Sequence, residues 1–268
     1  MGHRAKSAAG AEAITPKLTA YKNEAERRGL RDFTVLTLDC YGTLVDRDRG
    51  IVNALMPWLS DAGVMAGRGE IIRAFSQAER TTLVTAPGVC YRDILLEIHD
   101  ALAKFFDVAR DHEAAKSLAS SISQWPIHAD VADALAYLKQ YYRLVVLTNI
   151  DHASFDGTNK SLGVAFDAVY TAEDIGSYKP SMKSFDFLLN RLKTAGITKE
   201  RVLHVAGSLR FDHVPAKRRG MSTCWIQRPN GRPRMKDSST RGIDVHPDFH
   251  FESLGAFAEA HRAVCAAA

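Results

Sequence analysis

The chain has 268 residues, with 35 Lys and Arg against 31 Asp and Glu for a net charge of +4, and is 46% hydrophobic and 25% charged. That is the composition of an ordinary globular protein with room for one large domain or a core plus a smaller one. So small and scattered a positive charge argues against nucleic acid as a partner, and no apolar run approaches the roughly 18 residues of a membrane span.

Residues 1–15 carry no apolar signal-peptide centre, so a short tail on a cytoplasmic protein is expected. The four cysteines, Cys40, Cys90, Cys224 and Cys265, lie far apart, which points to reduced thiols and away from a zinc site or a redox dithiol. A helix is predicted over residues 16–28, with Pro16 near its start and Gly29 past its end. It completes an N-terminal segment of tail and helix over residues 1–32. The β-rich run 33–38 reads as a strand buried on both faces, followed by the polar, glycine-containing segment 39–46. Between residues 51 and 126 apolar residues recur at helical spacing: Ile51, Leu55, Trp58 and Leu59, then Leu95, Leu96, Ile98, Leu102 and Phe105. No strand pattern interrupts this helical insertion, which Trp125 and Pro126 close.

Alternation then resumes: helix 131–141, strand 143–148, a short strand near 168–171, helix 181–195, strand 201–206, helix 214–219, strand 222–226 and a last helix 254–264. Segment 228–241, with Arg228, Arg232, Arg234, Lys236 and Arg241 among Pro, Gly and Ser, reads as a solvated loop. The fold class is therefore α/β: a Rossmann-like parallel sheet over residues 33–50 and 127–268, with helices inserted at 51–126. Polar residues just past the C-terminal ends of such strands converge on one crevice.

The first strand ends in Asp39-Cys40-Tyr41-Gly42-Thr43-Leu44-Val45-Asp46. A carboxylate at a strand end beside a glycine turn stays ionised and can act as a nucleophile, while Cys40 should face the other way as a buried thiol. Thr148 and Asn149 end the second strand and suit a substrate oxygen or leaving group, or a helix cap. Lys179 lies in a loop before a helix, where its charge would keep Asp39 deprotonated and offset negative charge on a substrate. Asp212 adds a second carboxylate after the fourth strand, as a catalytic group or a cap for the helix at Val214. The histidines, including His128, His152, His204 and His213, lack metal-ligand spacing. No cofactor or metal is implied.

These four segments, in this order, resemble the loop motifs of the haloacid dehalogenase superfamily of hydrolases, and the helical insertion stands where that family carries a cap domain. Phosphatases of the superfamily have an Asp two residues after the nucleophile and an acid at the start of the fourth motif; Tyr41 and Gly207 stand there, which leaves a magnesium site short of oxygen ligands. The Asp-x-Tyr-Gly-Thr form is similar to the metal-independent 2-haloacid dehalogenase branch. The resemblance implies catalysis by Asp39, Lys179 and Asp212, and substrate binding by Tyr41, Thr43, Thr148, Asn149 and Ser208. The substrate would be a small organic acid, and the assembly a homodimer. Three positions depart from that branch: its cap arginine aligns with Ala74, an Asn with Leu209 and a Tyr with Phe185. Arg73, Arg80 and Arg92 are the candidate replacement cations. A magnesium-dependent phosphatase and a non-catalytic binder of small acids or proteins are the rival readings.

Overall fold

The computed structural model describes residues 28–86, 88–228 and 244–267. Six parallel strands form one sheet: β1 (Val35–Leu38), β2 (Arg143–Leu147), β3 (Ala168–Tyr170), β4 (Val202–Ala206), β5 (Ser222–Ile226) and β6 (Phe249–Phe251), in the order β3-β2-β1-β4-β5-β6. β1 is central; Val35 pairs with Arg143 on one side and Val202 on the other. The chain builds outward from β1 through β2 and β3, then returns to lay β4 on its other side. Strand order therefore reverses between β1 and β4, the place where open α/β sheets leave a crevice at the strand ends.

Side chains alternate across the sheet, and both faces are buried, which is why β1 reads as a nearly continuous apolar run broken by Thr37 alone. Val35, Val145, Leu147 and Val202 pack under α8 (Met182–Thr194) and α9 (Val214–Arg218) through Phe185, Leu188, Leu192 and Ala216. Leu36, Leu38, Leu144, Val146 and Leu203 face the opposite cluster with Leu135 of α5 (Val131–Leu138) and Phe257 of α10 (Leu254–Ala266). Cys40 belongs to this second cluster, and burial pushes its thiol pKa up.

The inserted segment holds α1 (Arg47–Asp61), α2 (Arg68–Thr85), α3 (Tyr91–Phe105) and α4 (His112–Ser121), and no strand lies among its described residues. α1 starts four residues earlier than periodicity suggests, because Asp46 caps it by accepting the Arg49 N–H at 3.1 Å. Val45 bridges Ile127, and the Asp46 N–H donates to the Pro126 carbonyl, so the chain enters and leaves this helical segment side by side.

Three details differ from expectation. β1 begins at Val35 and not at residue 33, because Leu30–Asp32 is a 3-10 turn leading into it. The helices α6 (His152–Leu162) and α7 (Ala172–Ile175) and the edge strand β6 were not foreseen. α6 has few apolar residues and a Gly-Thr-Asn stretch of weak helix formers, and is started by Asp151, which accepts the Ser154 N–H. The helix predicted over 16–28 lies outside the described residues, apart from its last position. No helix among the described residues is long and apolar enough to cross a membrane.

Candidate active site

Asp39 leaves the C-terminal end of β1, and its N–H donates to the Val205 carbonyl of β4. The next residues turn sharply: Gly42 has φ +95°, a conformation glycine adopts without strain. The turn brings the Thr43 hydroxyl back onto the carboxylate, where Oγ1 donates to Asp39 Oδ2 at 2.5 Å. Thr43 Oγ1 also accepts the Gly207 N–H at 2.8 Å, so one hydroxyl ties the loop after β1 to the loop after β4. A side chain at 207 would place its Cβ 2.7 Å from the Gly42 carbonyl oxygen. The turn that positions Thr43 thus leaves no room for an acid there. Arg228 braces the turn from behind, donating Nε and Nη2 to the Thr43 carbonyl and Nη1 to Asp130.

Lys179, only 2% exposed, sits between the two carboxylates. Its Nζ donates to Asp39 Oδ1 at 2.8 Å, to Asp212 Oδ1 at 2.6 Å and to the Leu147 carbonyl at 3.0 Å, which uses all three ammonium protons. Burial alone would discharge it, but Asp212 and Asp39 outweigh that and hold its pKa above the ordinary lysine value. Its backbone is fixed by Asn149, whose amide accepts the Lys179 N–H at 2.7 Å and donates to the Lys179 carbonyl at 3.0 Å.

Asp212 lies in a π-helical turn (Leu209–His213) capped by Ser208, whose hydroxyl accepts the Phe211 N–H. Burial would raise its pKa, but Lys179 and His204 beside it keep the carboxyl well below the usual carboxylate range. His204, on β4, links the Thr37 hydroxyl through Nδ1 (2.9 Å) to Asp212 Oδ1 through Nε2 (3.3 Å). The other carboxylate oxygen, Oδ2, is buried without a protein partner.

These groups floor a small cavity of about 60 Å³, lined by Asp39, Tyr41, Thr148, Asn149, Ile150, Lys179, Ser208, Phe211 and Asp212 from the sheet side and by Arg47, Glu79, Leu83 and Tyr91 from α1–α3. It is far below the roughly 300–1,000 Å³ of sites for drug-sized ligands, so what fits is a molecule of a few heavy atoms. A larger groove of about 550 Å³ runs between α1 and α4 and is lined by residues such as Asn53, Trp58, Glu113 and Gln124; none of the residues around Asp39 borders it.

Of the residues singled out by sequence, Asp39, Lys179 and Asp212 meet directly, and Tyr41, Thr148, Asn149 and Ser208 border the same cavity. Several stand differently from the expected arrangement. Thr43 does not line the cavity; it braces Asp39. Both polar ends of the Asn149 side chain are committed to the Lys179 backbone, and the Thr148 N–H donates to the Tyr170 carbonyl. Neither residue caps α6, since Asp151 does. The Ser208 hydroxyl serves the π-helical turn and not Lys179. Asp212 is no helix cap, because its carboxylate turns inward to Lys179. The Tyr41 hydroxyl is paired with Thr158, and its ring packs edge-on against Trp125. Arg228, expected in a solvated loop, is instead largely buried against Thr43; residues 229–241 of that loop lie outside the described residues. Arg73 and Arg92 are exposed, and neither they nor Arg80 lines the cavity.

Sequence reasoning missed Arg47, Glu79, Tyr91 and His204. Arg47 donates to Glu79 Oε2 at 2.5 Å, and Tyr91 donates its hydroxyl to Glu79 Oε1. The available signal was a charge on an apolar stripe: Glu79 continues the i, i+4 series Ile71, Phe75 on the buried face of α2. Among the described residues, no three His, Cys, Asp or Glu side chains gather as a metal-binding group.

Comparison with known proteins agrees with this geometry. The chain is 30% identical over 202 residues to the (S)-2-haloacid dehalogenase of Pseudomonas fluorescens, covering 72% of this chain and 84% of that one. It is 28% identical over 211 residues to the (S)-2-haloacid dehalogenase of Pseudomonas putida, covering 75% and 88%. Its fold matches the L-2-haloacid dehalogenase of Xanthobacter autotrophicus solved with chloropropionic acid covalently bound, with a TM-score of 0.68 at 19% identity, over 86% of this chain and 98% of that one. The family model for haloacid dehalogenase-like hydrolases matches residues 33–212, a span that runs from β1 to the carboxylate of Asp212, and the chain belongs to that family of hydrolases.

Proposed function

We propose that the protein is a 2-haloacid dehalogenase that hydrolyses a short 2-halo carboxylic acid through an ester on Asp39. One observation carries this reading: Asp39 faces a cavity for a few heavy atoms, held by Thr43 and Lys179, with Tyr41 and Gly207 where a phosphatase needs acids. An Asp39 oxygen attacks the substrate carbon; the carbon–halogen bond breaks and the halide leaves with the bonding pair. A halide is a good leaving group and needs no proton, so Tyr41 in the acid position does not impair the step. Water then adds to the Asp39 carbonyl carbon, the acyl–oxygen bond breaks, and the 2-hydroxy acid departs with one proton released overall.

Asp212, which lines the cavity together with Asp39, orients that water. A carboxyl held so far below its ordinary pKa is a weak base, so positioning is its larger contribution. Helices α1–α4 act as the cap, which on this reading starts at Arg47 and not at the expected residue 51, and the six strands with the remaining helices form the core. The cap closes the cavity with Glu79, Leu83 and Tyr91 and excludes bulk water. The protein is read as a cytoplasmic homodimer, for which sedimentation of the purified protein is the check. The phosphatase reading is disfavoured by Tyr41 and Gly207 at the two positions where that branch carries acids, and by the close approach of the Gly42 carbonyl that leaves no room for a side chain at 207.

The test is halide release from fluoro-, chloro- and bromo-substituted acetates and propionates in excess chelator, with Asp39→Asn as control. Release that needs Asp39 but no metal is expected, together with a protein adduct on Asp39 detectable by mass spectrometry. Silence across the panel, with magnesium-stimulated phosphate release from small esters, would overturn the proposal.

A further inference from the structure

A halo acid brings one negative charge into the cavity and its reaction liberates a second anion. The catalytic groups there already sum to −1, with Asp39 and Asp212 against Lys179. Lys179 has no N–H left for a substrate, since Asp39, Asp212 and the Leu147 carbonyl take all three. The position that supplies a cap arginine in the related branch is Ala74, which is buried in apolar packing.

One other cation lines the cavity among the described residues: Arg47, at the first position of α1. It is 6% exposed, and its guanidinium lies 5.1 Å from the centre of the Phe75 ring. A single hydrogen bond joins it to Glu79, while Asp48 stands 3.6 Å from Nη1, beyond hydrogen-bond reach. A guanidinium has five N–H donors, so most remain uncommitted. Glu79, by contrast, has a donor on each oxygen, Arg47 on one and the Tyr91 hydroxyl on the other. The arginine is thus clamped from behind and has donors to spare.

A buried ion pair generally adds little to stability compared with apolar packing, yet three successive helices each place a polar side chain on an apolar stripe at this cavity. Resting on the dehalogenase reading for its substrate, we propose that Arg47 is the anion-holding, specificity-determining residue of the site. It takes a monovalent anionic group of the substrate, carboxylate or departing halide, while Glu79 and Tyr91 hold it in place.

Two variants test this in an Asp39→Asn background, where ligands bind without turnover. Arg47→Gln/Glu79→Gln removes both charges at similar volume, and Glu79→Gln leaves Arg47 without its neutralising carboxylate. Propionate binding is measured by calorimetry and chloride binding by 35Cl NMR line broadening. The double variant should lose about tenfold or more in affinity for at least one anion, as expected for loss of a charge-assisted hydrogen bond; which anion responds tells whether carboxylate or halide sits on Arg47. In Glu79→Gln the amide oxygen still accepts from Arg47 and keeps it in place without neutralising it, so this variant should bind that anion as tightly as the parent or tighter. With Asp39 intact, the double variant should lose at least about tenfold in kcat/KM for the halo acid; the neutral 2-haloacetamide should lose much less where Arg47 holds the carboxylate and about as much where it holds the halide.

Unchanged anion affinities in the double variant overturn the proposal, and so does weakened binding in Glu79→Gln. Asp39-dependent halide release by the unmodified protein would then still support the dehalogenase reading. Arg47-dependent propionate or chloride binding without any halide release would instead sink that reading and keep the anion site.

Discussion

Replacing Lys179 by methionine keeps the length and most of the volume of the side chain while removing the cation between two carboxylates. Nζ lies 2.8 Å from Asp39 and 2.6 Å from Asp212. At an effective dielectric of about 20, each such contact is worth roughly 6 kcal/mol before the cost of burying the lysine is set against it. Losing an adjacent opposite charge raises a carboxyl pKa by about 1–3 units. Asp212, whose carboxyl Lys179 helps to hold below the ordinary range, then takes up a proton more readily. A protonated Asp212 no longer presents its charge to the hydrolytic water, so the acid limb of ester hydrolysis should move to higher pH by about 1–3 units, with a loss of about 10–1,000-fold below it. Raising the pH should recover part of the rate. The assay is the rate at which the adduct on Asp39 decays, followed by mass spectrometry across pH in wild type and Lys179→Met. An acid limb coincident with that of wild type, in a variant whose near-UV circular dichroism is native, would refute the argument that Lys179 holds Asp212 ionised.

Thr43→Val keeps the shape of the side chain but removes the donor to Asp39 and the acceptor of the Gly207 N–H. It should lose about 1–3 kcal/mol of stability in urea unfolding and about tenfold or more in kcat, with Thr43→Ser restoring both. Asn149→Ala frees the Lys179 backbone, and steady-state halide release should show kcat falling by about 10–100-fold, with KM changing far less. Burial holds His213 at a pKa of about 4 against 6.5 in the unfolded chain. Between those values the unfolded chain binds more protons, so this stabilisation is complete above pH 6.5 and lost as pH falls toward 4. Urea unfolding at pH 7 and pH 5 should show a loss larger by about 2 kcal/mol in wild type than in His213→Gln.

The alternation of apolar runs after Pro126 and the motif order of Asp39, Lys179 and Asp212 were enough to place both the sheet and the three charged groups at its C-terminal edge, because strand ends in a parallel sheet bring distant segments to one crevice. β6 and α6 left weaker traces: one is three residues long, and the other carries few apolar positions. For Thr43 and Asn149 the sequence pointed to this neighbourhood and to substrate contact, while the structure shows both side chains engaged as braces. A hydroxyl or amide at a strand end serves equally well as a substrate contact or as a brace, and only distance separates the two. Thr43 lies 2.5 Å from Asp39 Oδ2, and Asn149 is closed on the Lys179 backbone.

The cap side of the cavity was the hardest to read, and the reason is specific. Arg47 sits in Asp46-Arg47-Asp48-Arg49, a charged run that looks solvated when read locally. Yet it stands four residues before Ile51 and eight before Leu55, on the buried face of α1. Glu79 follows Phe75 by four on α2, and Tyr91 precedes Ile94 and Leu95 on the buried face of α3. Each stripe taken alone is an amphipathic helix with two polar exceptions: Arg47 and Asp48, Glu79 and Thr82, and Tyr91 and His99. An isolated buried charge would cost several kcal/mol, so exceptions on neighbouring helices must meet one another or a ligand. A search for charged or hydroxyl-bearing residues on otherwise apolar faces of successive helices would therefore have found the Arg47–Glu79–Tyr91 cluster. The motifs of the catalytic loops could not reveal it, because no part of that cluster lies at the end of a strand.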